Sequence, residues 1–435
     1  MVEQQTTRGE RVENTGSENS NSINETLDLT NPGQIRRTCE PTLRRRNGDW
    51  TIEFVGDDIS SRLWDEDAVS NLLQNATLGP SFGKRGSILL PSEVGMETDP
   101  DSLRLDTIAF IKRYVSLPDP FPMVAAIFVE HTWLYDAHDS TVYWRFRHPS
   151  PGKGKSRGLK TLAALCRRAI RISGSSTIAA VRRDLTQVQG TLFIDEFDPQ
   201  SSRNSPWTVV LKTGFEWDSN DRVCVQRADE QWQAESFTLF GPKVTAQHHR
   251  FEDEALESRF IDCYMGERDP SVSLTIDYEE FDRDALELRN KYLWWRLNRL
   301  SEFQVNPALC SDILNDRSNQ VALPLLALAR DDRERAAIVT AVRTSQDRML
   351  QDKRESPWGS IAEAILCVDE TFPNLGGVHL LKTVADQTFD STICSQTVGR
   401  CAREFDIATS RGNLGYRLHL TDRNRQELRD YLERN

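Results

Sequence analysis

One segment, TVYWRFRHPSPGKGKSRGLKTLAALCRRAI at positions 141–170, limits what this chain can fold into more than any other. It joins a strand pattern, TVYWRFR, to a helical pattern through a loop of Gly and Pro that ends in Gly154-Lys155-Ser156. Strand, tight loop and helix in that order open an α/β unit, whose sheet is parallel and carries helices on its faces. The triplet also closes the pattern G-x-x-x-x-G-K-[ST]. In that arrangement backbone N–H groups and the start of a helix cradle phosphates, the lysine neutralises their charge and the hydroxyl binds Mg2+. Pro149 stands where the pattern has its first glycine. Pro149 and Pro151 are expected to stiffen the entrance, while Gly152 and Gly154 let the backbone approach a ligand closely. A helix beginning at Arg157 would bury Leu159, Leu162, Ala163, Cys166 and Ile170.

A magnesium nucleotide site also needs an acid at the end of a neighbouring buried strand. TLFIDEFD, about forty residues later, supplies Asp195-Glu196 after an apolar run. Asp195 would hold the metal through water and Glu196 would polarise an attacking water. A strand ending in a solvated acidic turn is common, but the two elements in this order with a helix between them are not. Further on, FGPKVTAQHHRFEDEALESRF reads as a strand that presents Gln247, or Thr245, toward a γ-phosphate. Arg259 then stands where it could reach the nucleotide of a neighbouring subunit, or could make an ordinary salt bridge at a helix end. His248 and His249 are adjacent, cannot share a helix face, and read as loop residues.

Charge concentrates on the same region. The chain of 435 residues carries a net charge of −12, which disfavours a protein that simply coats nucleic acid. Positions 140–183 nevertheless contain no acidic residue and hold Arg145, Arg147, Lys153, Lys155, Arg157, Lys160, Arg167, Arg168, Arg171, Arg182 and Arg183. Such an island is either a solvated basic face or an anion site, and its overlap with Gly-Lys-Ser favours the anion site. The eight cysteines show no C-x-x-C pair and no metal-type spacing with His, which fits a reducing cytosol. No apolar run approaches the roughly 20 residues of a membrane helix, so a cytoplasmic protein is expected.

Composition divides the chain further. Residues 1–47 are polar and read as a disordered arm ending in Arg44-Arg45-Arg46, and 48–102 as a small lead-in domain. Residues 103–305 read as the nucleotide core. Within it SLRLDTIAFIKRYVSL is a helix with Leu105, Ile108, Ile111 and Val115 on one face, and PMVAAIFVEHTWLYDA is a buried helix. WTVVLKTGF is strand or short-helix material. Residues 306–353 read as a helical lid. YLWWRLNRL places its aromatics at helical spacing and belongs to packing rather than base stacking. In 354–435, SPWGSIAEAILCVDE, GVHLLKTVADQTF and STICSQTVGRCAREFDI are three short helices, and ATSRGNLGYRLHL is a hairpin. Three helices and a wing make a winged helix, in which the third helix enters a major groove and the wing touches backbone. Gln396, Thr397, Arg400 and Arg403 would face DNA from that helix, and Arg411 and Arg417 from the wing. A winged helix used for protein contact is the alternative.

The fold class is thus α/β: a P-loop core with a helical lid and a C-terminal winged-helix domain. HTWLYDA, SPGKGKSR, LKTLAALCRRA, SGSSTIAAVRRDL, TLFIDEFD, FGPKVTAQ, ALESRF and PLLALA together cover about half the chain. In their order this chain resembles the helicase-like ATPases of phages, plasmids and integrated elements, of the primase-associated type within the AAA+ class. The resemblance implies ATP and Mg2+ as cofactors, a homo-oligomeric ring, hexameric by expectation, and DNA as partner in the replication of a mobile element. On that pattern Lys155 and Ser156 carry ATP and magnesium, Asp195 and Glu196 carry hydrolysis, and Arg259 is the trans-acting arginine. The reading of the loop and strand ends themselves adds Gly152, Lys153, Gly154 and Arg157 as ATP ligands, Ser156 and Asp195 as metal ligands, and Gln247 as catalytic beside Lys155 and Glu196. The chain departs from the pattern in carrying Lys153 where a small residue is usual. No primase domain precedes the ATPase, so priming is expected to fall to a separate primase. A translocating motor predicts ATPase stimulated by single-stranded DNA of any sequence. An ATP-dependent switch that recognises an origin or operator predicts slow ATPase and one footprint, and a degenerate scaffold predicts weak hydrolysis indifferent to Lys155→Ala.

Overall fold

The computed structural model describes residues 39–56, 64–197, 205–226, 232–251, 253–388 and 393–433. The chain enters through a hairpin, β1 (Cys39–Arg46) and β2 (Asp49–Gly56), then helix α1 (Glu66–Asn75) and short strands β3 (Ala76–Thr77) and β4 (Ile88–Leu89). Helices α2 (Pro100–Tyr114) and α3 (Phe121–Leu134) lead into β5 (Tyr143–Arg147). Strand and helix then alternate: α4 (Lys155–Ala163), β6 (Ala169–Ser173), α5 (Ile178–Val188), β7 (Leu192–Asp195) and α6 (Pro206–Thr213). A two-stranded ribbon, β8 (Asn220–Gln226) with β9 (Trp232–Thr238), precedes β10 (Lys243–Gln247), α7 (Glu254–Glu257) and β11 (Phe260–Tyr264). Helices α8 (Tyr278–Arg299), α9 (Asp316–Leu326) and α10 (Asp332–Glu355) complete this part.

The central sheet runs β11-β5-β10-β7-β6-β4-β3. Its first five strands are parallel, and β4 joins β6 antiparallel. Parallel strands need both faces covered, and β5 obeys: Tyr143, Trp144, Arg145, Phe146 and Arg147 are all buried. Several helices begin on side-chain caps. Asp99, Asp277, Asn315 and Asp331 accept first-turn N–H groups of α2, α8, α9 and α10, each cap contributing about 1 kcal/mol. One continuous apolar core joins Cys39 and Leu43 of the hairpin to Ile338 and Val342 of α10.

That continuity changes the expected boundaries. The arm expected over 1–47 lies outside the described residues as far as position 38, and its end forms β1. The lead-in segment is no separate domain, because β3 and β4 extend the central sheet and Ala68, Leu72 and Ile88 share its core. Sequence periodicity read the buried face of α2 in part: Ile111 and Val115 are buried and Ile108 packs against the core, but Leu105 does not. Leu105 is 65% exposed, while Leu103, Thr107, Phe110, Ile111 and Tyr114 face inward and Val115 lies past the helix end. The helix after the loop ends at Ala163, and Ile170 pairs with Leu192 in the sheet. WTVVLKTGF is helical, started by Ser205 and Pro206.

Beyond Ser356, α11 (Pro357–Thr371), β12 (Val378–Leu380), α12 (Leu381–Gln387), α13 (Ser395–Glu404), the hairpin β13 (Ala408–Gly412) and β14 (Gly415–His419), and α14 (Asp422–Glu433) build a second core of their own. The hairpin falls where the sequence placed it, and β12 adds a third strand in the order β12-β14-β13. Asp369 ties this unit together by pairing with His379 and Arg425, at 2.8 and 2.7 Å.

Candidate functional site

Parallel register brings the carboxyl ends of three strands to one edge. Gln247 lies level with Arg147, and Thr245 level with Ile194. Open α/β sheets bind ligands just outside such an edge. The loop 148–154 leaves β5 there, with Gly152 at φ +76° and Gly154 at φ +83°, backbone that side-chain-bearing residues rarely adopt. Gly154 is the N-cap of α4 and supplies no side-chain cap, so the first-turn N–H groups of the helix are open to an anion.

Ser156 donates its hydroxyl to Asp195 Oδ1 at 2.8 Å, so the two residues predicted to share a metal are in contact. The same carboxylate oxygen accepts the backbone N–H of Glu196 at 3.0 Å. Glu196 itself sits at φ +51°, a left-handed conformation that costs a glutamate on the order of 1 kcal/mol or more. Its carboxylate is exposed and has no hydrogen bond or ion pair among the described residues. Strain that holds a free acid beside a bonded one is a common property of reactive sites.

Lys155 turns inward. Its ammonium donates to the carbonyls of His148 and Ser150, both at 2.9 Å, and burial lowers its pKa from the usual lysine value. His248 Nδ1 lies 3.3 Å from the same ammonium and 3.0 Å from the Pro149 carbonyl. A protonated Nδ1 serves the carbonyl and an unprotonated one serves the lysine, so His248 belongs to the loop's network, a role hinted at in sequence only by its place at a strand end. Lys153 is drawn away by an ion pair with Glu267. Arg157 donates to the carbonyls of Tyr114 and Leu274. Gln247 and Thr245 prove to be partners rather than alternatives: the Thr245 hydroxyl donates to Gln247 Oε1 at 3.2 Å, and the buried Gln247 Nε2 has no partner among the described residues.

The structure separates Arg259 from this group. It precedes β11, whose first residue, Phe260, lies level with Tyr143 at the amino end of β5. The four residue steps from there to Arg147 span about 13 Å, farther than an arginine side chain reaches. Arg259 instead donates to the Ala255 carbonyl at 2.6 Å and lies over the Phe215 ring at 5.3 Å.

Among the described residues, five of the eleven basic residues of the island besides Lys153 are neutralised by acids of the fold itself. Arg145 pairs with Glu257 and Asp262, Arg147 with Asp262 and Asp352, Arg167 and Arg168 with Glu40, and Arg182 with Asp221. The sequence missed these pairings because every acid comes from another segment. The island as a whole is therefore not an anion site; within it the loop itself remains open.

In the C-terminal unit, Gln396, Arg400 and Arg403 occupy one exposed face of α13, opposite buried Val398, Cys401 and Ala402. Arg411 is exposed on β13, and Thr397 and Arg417 are half-buried. Among the described residues none of the four arginines forms an ion pair with a carboxylate. No group of three or more His, Cys, Asp and Glu side chains among the described residues could hold a metal.

No known family profile matches this sequence, and no curated protein does. Solved structures similar to it include the C-terminal region of NrS-1 without ligand, at 12% identity and TM-score 0.34, covering 88% of this chain and 96% of that one. JCV helicase with a bound small molecule follows at 14% and 0.24, covering 57% and 67%. Drosophila ORC bound to DNA follows at 13% and 0.16, covering 79% and 95%. Likeness this distant carries no weight in assigning a function.

Proposed function

We propose that the chain is an ATP-hydrolysing, helicase-like motor acting on DNA, built on a P-loop core of AAA+ type with a C-terminal winged helix. One observation carries the reading: a serine hydroxyl and a strand-end carboxylate meet at 2.8 Å beside an uncapped helix start. Two neighbouring ligands of an octahedral Mg2+ with bonds of about 2.1 Å lie about 3 Å apart, so this oxygen pair fits the ion. The free first-turn N–H groups and the glycine backbone fit a polyphosphate. When bound, Mg2+ would neutralise developing phosphate charge.

The chain's own residues would do the rest. Lys155 would exchange one of its loop carbonyls for a phosphate oxygen. Glu196, unencumbered, would take a proton from the attacking water, while the Gln247 amide supplies a donor from the neighbouring strand. Arg259, out of reach of its own loop, would serve an adjoining copy in a ring. Arg400, Arg403 and Arg411 would bind phosphates of DNA.

ATPase measured with and without single-stranded DNA tests the reading, comparing wild type, Lys155→Ala and Glu196→Gln. We expect Glu196→Gln to keep nucleotide binding and to lose roughly 10²–10⁴-fold in turnover. Lys155→Ala should lose binding as well. Wild-type hydrolysis indifferent to both changes would sink the proposal. The separate core of the C-terminal unit and its unpaired arginines favour one second reading, an ATP-dependent switch at a specific DNA sequence. Slow hydrolysis, unmoved by DNA, together with a single footprint would select it.

A further inference from the structure

Arg259 does not stand alone. Arg317, the second residue of α9, lies over the same Phe215 ring at 4.8 Å, while Arg259 lies at 5.3 Å. Phe215 is fully buried, so the ring is a fixed platform for both. Arg317 donates to Ser258 Oγ at 3.4 Å and to the side chain of Gln320. Among the described residues neither guanidinium has a carboxylate within ion-pair distance, and Arg259 Nε is buried without a partner. The nearest acids are committed elsewhere, since Asp253 pairs with Lys212 and Glu216 accepts from Gln320. Burial, and then the neighbouring charge of Arg259, lowers the Arg317 pKa from the usual arginine value.

Several fully buried arginines of this fold meet acids, while Arg289 is held by three backbone carbonyls. Arg104 meets Glu130 and Glu334, and Arg145 meets Glu257 and Asp262. Two like charges gathered on one ring, both short of a counter-charge, lack an anion that the chain itself does not provide. They sit at the amino edge of the sheet, the edge away from their own loop.

We propose that Arg317 acts with Arg259 as a second trans-acting cation, the two together gripping the terminal phosphates of a nucleotide bound to the loop of an adjoining copy. This rests on the nucleotide reading given above. Planar guanidinium groups suit such oxygens because each can donate two parallel hydrogen bonds. Arg317 is then a catalytic residue supplied by a helix outside the sheet, and closing the interface would require α9 as well as the segment before β11.

The test uses full-length protein with Arg317→Ala, Arg317→Lys, Arg259→Ala and Lys155→Ala. Binding of a fluorescent ATP analogue and ATP turnover are measured on each, and thermal unfolding confirms that each is folded. We expect Arg317→Ala to bind the analogue within about twofold of wild type and to lose about 10²-fold in turnover, the effect of removing one donor to developing charge. Arg317→Lys should recover only part of that loss. Lys155→Ala chains have no working loop but keep both arginines, and Arg317→Ala chains are the reverse. Mixing the two should restore turnover above the sum of the separate proteins. An active wild type with an equally active Arg317→Ala variant, or a mixture no better than its parts, overturns this proposal and leaves the loop untouched. A wild type without hydrolysis overturns both.

Discussion

Two clusters of arginine in this molecule use the same side chain to opposite ends. Around Glu40, Arg167, Arg168 and Arg296 are fully buried and share its carboxylate, with Asp136 accepting from Arg296 and lying 3.4 Å from Arg167 Nη1. Around Phe215, Arg259 and Arg317 gather with no carboxylate in ion-pair contact among the described residues, and Glu216 acts on both only from farther off. The first cluster is a structural joint that fastens the β1–β2 hairpin to the α/β core. The second is a charged face left unsatisfied. Positive charge in a sequence therefore does not announce an anion site; what decides is whether the fold brings its own acid.

The contrast can be broken most easily at Glu40. Removing one partner of a buried ion pair leaves uncompensated charge, so Glu40→Gln should cost about 3–5 kcal/mol in urea-induced unfolding. A change under 1 kcal/mol would mean that water already reaches the cluster. The acid limb of stability should change with it. Burial alone would raise the Glu40 pKa, but the charges of Arg167, Arg168 and Arg296 outweigh it and hold the group at about 2, against 4.5 when free. Its contribution is complete above about pH 4.5 and is lost as pH falls toward 2. The gap between wild type and Glu40→Gln should therefore close over that window, and a constant gap would contradict the ion-pair account.

Smaller effects sharpen the comparison. Arg400→Ala and Arg403→Ala sit on an exposed face, so each should weaken DNA binding across sequences and lower the salt slope by about one. An unchanged slope would point to protein contact instead. The smallest change is expected in the stability of Arg259→Ala and Arg317→Ala, within about 0.5 kcal/mol of wild type, because no ion pair is lost and like charge is relieved. A loss of several kcal/mol in either would place the pair with the Glu40 cluster.

Local order was legible in the sequence and partnership was not. The loop, α4, β7 with Asp195-Glu196, and the C-terminal hairpin were all readable, because each depends on neighbours a few residues away. The exposed face of α13 was readable for the same reason. The Ser156–Asp195 contact was foreseeable from strand-end logic, once both strands were known to be parallel. By contrast, nothing near Arg167 or Arg145 in sequence reveals Glu40 or Glu257, each more than a hundred residues away. Arg317 escaped notice because its significance lies in Phe215 and Arg259, two segments brought alongside only by the fold. Leu105 of α2 was misjudged because it is as apolar as the residues that pack, and only the neighbouring helices select among them.

The hairpin at 39–56 sets a practical limit on how the chain can be shortened. A fragment trimmed at position 48, where composition invites a cut, would discard β1 and with it the acid common to three sealed guanidinium groups. Such a product should emerge insoluble or clamped by chaperones, while one that keeps Cys39 onward should purify as a folded protein.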